Sequence, residues 1–210
     1  MQANGKTEAE EQAEFEKRIK EQEEFDKAMK LRRLEQFLEN SIGIHYLKNF
    51  DEKRMRDKDK LDKKINDMFE TGKGIILFGD VGVGKTMDLL YITKRIYTEQ
   101  KDYDERYNPE IPVAYYFMPA LFNLLHQGGK PAIKKYVILD DWGREYVIDF
   151  SLSQFESFIE EIYSREIHLV ITTNLTKEQF INREGWLRIT DRVREMCSML
   201  EIPGRSMRHR

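Results

Sequence analysis

The sequence has 210 residues but only one cysteine, five prolines and no long apolar run. The single Cys197 excludes an internal disulfide framework and a thiolate metal cluster, as is typical of proteins in a reducing compartment. No apolar stretch approaches the roughly 20 residues needed to cross a bilayer, and residues 1–17 contain no apolar signal region. We therefore expect a cytoplasmic protein without a membrane partner.

A strong net charge is also missing, because 35 basic and 38 acidic residues leave a formal charge of −3. The chain therefore has no global signature of a polyanion-binding protein. Any contact with nucleic acid must come from a local patch of the surface.

Charged residues are nevertheless dense at the start of the chain. Residues 8–40 are rich in Glu, Lys, Gln and Arg, contain no Gly or Pro, and space their larger apolar residues at near-helical intervals. We predict a charged helical arm over residues 1–40, followed by the main domain over residues 41–210. Such an arm is either a solvated helix or a docking helix for a partner protein, and the pattern leaves both open.

Beyond Gly74 the chain alternates between apolar runs and amphipathic segments. The apolar runs predict five strands, at residues 74–78, 112–117, 136–141, 168–173 and 198–202. Helical patterns separate these runs, and continuous apolar strands joined by helices are typical of a parallel sheet. The predicted fold class is α/β, with helices on both faces of the sheet.

Glycines are concentrated directly after the first predicted strand. Residues 79–86 read GDVGVGKT and match the P-loop pattern G-x-x-x-x-G-K-[ST], with a strand before it and a helix after it. In such a loop the backbone N–H groups and the helix N-terminus face phosphate oxygens. Lys85 supplies a charge to the β- and γ-phosphates of ATP, and Thr86 supplies a hydroxyl ligand to Mg²⁺. The residues predicted to bind the nucleotide are Gly79, Asp80, Val81, Gly82, Val83, Gly84, Lys85, Thr86 and Met87.

Polar side chains end two later strands. Asp140 and Asp141 follow the third apolar run, and Asn174 follows the fourth. We predict that Asp140 orients a magnesium-bound water and that Asp141 polarises the attacking water as general base. Asn174 is placed to sense the γ-phosphate, although Asn is also a common turn former.

The order of GDVGVGKT, VILDDWG, ITTNL, RITDRVRE and IPGRSMR resembles the AAA+ ATPases of the DnaC/DnaI helicase-loader group and the related IstB transposition helpers. The resemblance covers roughly residues 42–208. It implies an AAA+-like fold, ATP hydrolysis with Mg²⁺, and ATP sites between subunits of a self-associated assembly. The second acid, Asp141, reaches less far toward the attacking water than Glu would, so we expect slow hydrolysis.

The same resemblance implies roles for arginines near the C-terminus. In this group the RITDR segment supplies an arginine finger to the neighbouring subunit, which implies Arg192, or Arg188 one turn earlier. The closing G-x-S-x-R implies Arg208 as a second sensor that contacts the γ-phosphate in its own subunit. Met207 departs from the aromatic residue that the group carries there. The predicted catalytic residues are Lys85, Asp141, Asn174, Arg192 and Arg208.

By the same resemblance, the function is ATP-dependent loading or remodelling of a replicative helicase on single-stranded DNA, with the arm engaging the helicase. An IstB-like helper that assembles on DNA and activates a transposase is the first alternative. A nucleotide-gated adaptor with little turnover is the second. For DNA itself the sequence offers aromatic residues at 115–117 and lysines within 130–135, which are equally typical of a buried strand and a solubilising surface.

Overall fold

The computed structural model describes residues 8–99 and 110–206, with side chains from residue 12 onward. The helices are α1 (Glu8–Ser41), α2 (Ile44–Lys48), α3 (Lys58–Thr71), α4 (Lys85–Glu99), α5 (Met118–His126), α6 (Asp149–Ser164), α7 (Lys177–Ile181) and α8 (Leu187–Met196). The strands are β1 (Gly74–Phe78), β2 (Val113–Phe117), β3 (Tyr136–Trp142), β4 (His168–Thr173) and β5 (Cys197–Glu201). In the described part of the chain, the five predicted strands are therefore found within one residue of their expected bounds.

The strands form one sheet in the order β2-β3-β4-β1-β5, and every neighbouring pair is parallel. Parallel pairs need long crossovers, which the helices provide. The pairing of β3 with β4 is irregular between Leu139 and Trp142. This irregularity falls on Asp140 and Asp141, so the predicted acidic pair lies where the ladder is interrupted.

The sheet separates two apolar clusters because successive strand residues face opposite sides. In β1, Ile75 and Leu77 face the cluster formed with α3, α4 and the end of α1. Ile76 and Phe78 face the cluster formed with α5, α6, α7 and α8. All four side chains are buried, and each contributes about 1.5–3 kcal/mol of transfer free energy. This explains why the strands read as continuous apolar runs.

The described part of the arm is the helix α1, and among the described residues it contacts the rest of the protein from Lys30 onward, where the Lys30 ammonium lies over the Tyr97 ring at 5.2 Å. Leu34 and Leu38 are buried in the first cluster, and Ile42 follows them there. The helix ends at Ser41, next to the predicted boundary at residue 40. The earlier turns of α1 are mostly exposed, whereas its last two turns contribute to the core. The division into an arm and a main domain stays a prediction. None of the described helices combines the length and apolarity required to cross a membrane.

Candidate functional site

The P-loop connects the end of β1 at Phe78 to the start of α4 at Lys85. Gly82 has φ 84° and Gly84 has φ 117°, a left-handed region that residues with a Cβ rarely adopt. The Gly84 carbonyl then accepts hydrogen bonds from Met87 N at 2.8 Å and Asp88 N at 3.1 Å, which start the helix. The glycines of the motif are thus needed for the turn that exposes backbone N–H groups at a helix N-terminus.

Lys85 is buried in this loop, and its ammonium group donates three hydrogen bonds. The acceptors are Gly79 O at 2.6 Å, Asp80 O at 2.9 Å and Asn174 Oδ1 at 2.7 Å. Burial lowers the pKa of Lys85, and the surrounding carboxylates, Asp141 foremost, oppose that shift. The loop therefore already holds a cation at the position where the sequence predicts phosphate binding.

Asp140 is almost fully buried at the end of β3, and two hydroxyl groups hold its carboxylate. Thr172 Oγ1 donates to Oδ1 at 2.5 Å, and Tyr115 Oη donates to Oδ2 at 2.6 Å. Burial raises the pKa of Asp140, and these two hydrogen bonds act against that shift. A carboxylate oxygen accepts more than one hydrogen bond, so Asp140 can also hold a metal-bound water.

Two oxygen ligands are available to a magnesium ion, the Thr86 hydroxyl and the Asp140 carboxylate. Among residues 8–99 and 110–206, no group of three or more His, Cys, Asp or Glu side chains could hold a metal ion by itself. Mg²⁺ usually takes one or two protein oxygens and completes its shell with phosphate and water. The pair Thr86 and Asp140 suits that mode of binding.

Asp141 has φ 61°, a left-handed conformation that is uncommon for a residue with a side chain. Its backbone N donates to Thr172 Oγ1 at 3.0 Å. Its carboxylate accepts from Arg144 Nη1 at 2.8 Å and from Asn174 Nδ2 at 3.2 Å. Strain of this kind is concentrated at functional sites, and here it aims the carboxylate toward the P-loop side of β4.

Asn174 joins the two halves of the site. Its amide oxygen accepts from Lys85 and its amide nitrogen donates to Asp141. The three residues follow the carboxyl ends of β1, β3 and β4, which are neighbours in the order β3-β4-β1. Ligands of open α/β sheets bind at this edge, so the tertiary structure brings together Lys85, Asp140, Asp141 and Asn174.

The remaining predicted nucleotide-binding residues lie in the same loop and the first turn of α4. Thr86 and Met87 are half-buried on that turn, and Val81 is exposed at the tip of the loop. Gly79 is tightly enclosed, since a Cβ there would lie 2.8 Å from Ile202 O.

The predicted arginines do not join this cluster. Arg192 lies on α8 and packs against α6, where it pairs with Glu160 at 3.2 Å and covers the Tyr163 ring at 4.5 Å. A further ion pair joins it to Glu195 at 3.4 Å. Arg188 is far more exposed, and its partner Glu156 is 3.5 Å away. Arg208 lies outside the described residues.

Solved structures of other proteins have the same architecture. Compared with the DnaC helicase loader, the chain gives a TM-score of 0.56 at 19% identity, over 76% of this chain and 99% of that one. Compared with DnaI, the TM-score is 0.58 at 20% identity, over 71% and 87% of the two chains. Domain III of the replication initiation protein DnaA from Thermotoga maritima gives 0.51 at 14% identity, over 70% and 62%.

This chain shares its fold with the DnaC helicase loader. The predicted P-loop, AAA+-like α/β fold is thereby confirmed, and so is the structural side of the resemblance to the DnaC/DnaI group. No protein-family model matches the sequence, and no curated protein matches it significantly.

Three residues of this chain that lie at or beside the site were not predicted as site residues, although Tyr115 was considered for DNA contact. Arg144 forms an ion pair with Asp141, and the Tyr115 hydroxyl binds Asp140. Asp88 is buried two residues after Thr86, and its Oδ2 has no hydrogen-bond partner among the described residues. Only Asp88 left a signal in the sequence, as an acid that interrupts the apolar face of MDLLYI.

The aromatic strand considered for DNA contact is largely used inside the protein. The Tyr115 hydroxyl is bound to Asp140, and the Tyr116 hydroxyl donates to Ala132 O at 2.7 Å. Lys134 donates to Ile111 O at 3.0 Å. Phe117 is the ring of this strand that is exposed, so the strand offers solvent one ring rather than a stacking platform.

Proposed function

We propose that this protein binds ATP with Mg²⁺, hydrolyses it slowly, and uses the cycle to load or remodel a replicative helicase on single-stranded DNA. One observation carries the ATPase part of the proposal. Lys85 of the P-loop, Asn174 and Asp141 form a continuous hydrogen-bonded chain at the carboxyl edge of the sheet.

In this proposal Lys85 exchanges the carbonyl oxygens of Gly79 and Asp80 for phosphate oxygens when ATP enters. Two of its hydrogen bonds already go to the loop and the third goes to Asn174, so the exchange requires little movement of the side chain. Thr86 and Asp140 hold the magnesium ion, directly or through water. The ion supplies positive charge that neutralises the phosphate oxygens.

Asp141 is the proposed general base, and two neighbours restrain it. Asn174 donates to one oxygen of its carboxylate, and Arg144 donates to the other at 2.8 Å. One of these partners has to move before the carboxylate can accept a hydrogen bond from the attacking water at the same position. Slow hydrolysis is therefore expected, and it suits a switch in which ATP holds an assembly together until it is lost.

The proposed assembly places an arginine of one subunit against the ATP of the next. Arg192 is the candidate, and it must first leave Glu160 and Glu195. Arg188 is the alternative, with 88% of its side chain exposed against 42% for Arg192. Arg208 is the proposed sensor within the same subunit.

The shared fold with the DnaC helicase loader supports the loader assignment over the alternatives. By this proposal the protein acts in the cytoplasm, its protein partner is the replicative helicase, and residues 1–40 make the contact. An IstB-like helper of a transposase has the same ATP chemistry and differs in the partner that its arm binds.

Steady-state phosphate release tests the enzymatic part of the proposal. We expect Asp141→Asn to abolish most turnover while ATP binding persists, and Lys85→Ala to abolish binding. Loss of a trans-acting arginine lowers turnover by a factor of about 10³ or more. Arg192→Ala and Arg188→Ala should therefore differ sharply, and mixing Arg192→Ala with Lys85→Ala chains should restore some activity if the sites lie between subunits. Unchanged hydrolysis in Asp141→Asn contradicts the proposed base.

The Asp141–Arg144 ion pair also favours a second candidate, a nucleotide-gated adaptor with little turnover. The variant Arg144→Ala distinguishes a slow ATPase from an adaptor. Release of Asp141 from its ion pair should raise hydrolysis if the protein is a restrained ATPase. In an adaptor, ATP binding persists and turnover stays near background in both forms.

The partner is tested with the full chain as bait against purified replicative helicase and against transposase, each with and without ATP. The loader assignment is supported if the full chain retains the helicase and a chain without residues 1–33 does not. Retention of the transposase instead supports the IstB-like alternative.

A further inference from the structure

The exposed turns of α1 carry an apolar stripe made of three exposed residues and the half-buried Met29. Phe15, Ile19 and Phe25 are 64%, 44% and 60% exposed. At about 100° per residue, these three and Met29 lie within about 120° of the helix circumference. Leu34 and Leu38, which anchor the helix in the core, lie about 120° and 160° around the helix from the centre of this stripe. Phe37 is in line with Ile19 but comes five turns later, where it packs against the core. The stripe is therefore free to meet a partner while the anchor stays in place.

We propose that this stripe is an antiparallel pairing surface for α1 of a second copy of this chain. The twofold axis passes beside Gln22. The two numbers of each facing pair therefore add up to 44. This proposal goes beyond the ATP-dependent function and does not depend on it. It concerns the protein without the helicase, since the helicase contact proposed for residues 1–40 involves the same helix.

The register follows from the apolar residues. In this pairing Phe15 lies opposite Met29 of the second copy, and Ile19 lies opposite its Phe25. A shift by one heptad in either direction places Phe15 against Gln22 or Gln36. The pairing buries two large apolar side chains in each half, whereas the shifted registers set Phe15 against a polar side chain, so one register is clearly preferred.

The polar residues of the stripe fit the same register. Arg18 lies opposite Asp26 of the second copy, which gives two ion pairs across the axis, and Gln22 lies opposite Gln22. Within one chain Arg18 bonds Glu14 at 2.8 Å and Gln22 bonds Asp26 at 2.8 Å, all on exposed side chains. These local bonds are therefore exchangeable, and a polar centre is a known means of fixing helix register.

Charge along α1 selects the antiparallel orientation. Residues 8–26 contain nine acidic and three basic residues, whereas residues 27–33 contain four basic residues and no acidic one. Antiparallel pairing sets the basic segment opposite residues 11–17, which carry three glutamates and one lysine. Parallel pairing would set the acidic segment against its own copy, which is unfavourable.

Cysteine cross-linking of the full chain tests the axis and the orientation. Under mild oxidation, Gln22→Cys should give a disulfide-linked dimer, whereas Glu24→Cys, on the opposite side of the helix, should not. Arg18→Cys and Asp26→Cys should each stay monomeric alone and form a mixed dimer when combined, because like positions are about 12 Å apart along the axis. The native Cys197 is buried and does not compete. Cross-linking of Arg18→Cys with itself indicates a parallel pair and overturns the proposal.

Sedimentation velocity without nucleotide gives the second measurement. We expect the wild type to dimerise with a dissociation constant that rises at least tenfold in Ile19→Lys/Phe25→Lys, while Lys17→Glu/Lys27→Glu, on the outer face, changes it little. ATP affinity should be the same in the wild type and in both variants, because the P-loop lies within one chain and far along the sequence from the substituted residues. A wild type that stays monomeric at about 100 μM refutes the pairing and leaves the ATPase proposal untouched.

Discussion

Asp88 offers a prediction about stability that the structure makes quantitative. Its side chain is 2% exposed, its Oδ2 has no hydrogen-bond partner among the described residues, and it lies in an otherwise apolar part of α4. Burial raises the pKa of Asp88 to about 7 from 3.8, and the nearby Lys85 acts against that rise. The folded protein therefore prefers the neutral carboxyl.

The direction of the pH dependence follows from this raised pKa. Between about pH 4 and pH 7 the folded protein keeps the Asp88 proton, whereas the unfolded chain has already lost it. Raising the pH through this window therefore favours the unfolded chain. A rise of about three in the pKa of Asp88 corresponds to at most about 4 kcal/mol of lost stability at pH 8. Relaxation of the structure around the site reduces that figure.

Asp88→Asn removes the titration, and Asp88→Leu also restores the apolar face. We expect Asp88→Asn to be more stable than wild type by about 1–3 kcal/mol at pH 8 and to lose that advantage at pH 5. Asp88→Leu should gain more, because it also buries apolar surface. For a chain of this size, 1 kcal/mol corresponds to about 2–4 °C in melting temperature.

The assay is urea unfolding at several pH values in EDTA without nucleotide, followed by fluorescence of the buried Trp142 and Trp186. Glu70→Gln, which replaces an exposed acid on α3, is the control and should change nothing. A stability difference between Asp88→Asn and wild type that is independent of pH, or a less stable Asp88→Asn, refutes the reasoning.

Four further variants test the site and the sheet. Asn174→Ala removes the link between Lys85 and the proposed base, so turnover should fall about 10- to 100-fold with little change in ATP affinity; equal losses in both contradict a positioning role. Tyr115→Phe removes a hydroxyl bonded to a buried carboxylate and should lower the free energy of unfolding by about 1–3 kcal/mol, whereas an unchanged urea midpoint contradicts that bond. Gly74→Ala places a Cβ 2.0 Å from a carbonyl oxygen of β4 and should prevent folding or cost about 3 kcal/mol. Gly128→Ala, with nothing within 4 Å of its Cβ, should lose about 1 kcal/mol through its left-handed backbone, and similar losses for the two glycines argue against the packing explanation.

Local sequence determined the strands, the helices and the P-loop. Each strand is a short apolar run, and burial of its side chains on both faces of the sheet is enough to explain that pattern. The glycines at 82 and 84 are required by the conformation of the turn. Such signals lie within a few neighbouring residues, so they can be read without knowledge of the rest of the chain. The same holds for the acids that follow β3.

Tertiary structure alone decided which polar groups meet. The bonds from Lys85 to Asn174 and from Tyr115 to Asp140 join residues 89 and 25 positions apart. They exist because the strand order sets β4 between β1 and β3, which no local pattern encodes. Likewise, the left-handed Asp141 and its ion pair with Arg144 follow from an irregularity in the β3–β4 ladder. The residue types of the site could be predicted from the sequence. Their hydrogen-bond partners could not, because they depend on contacts between distant segments.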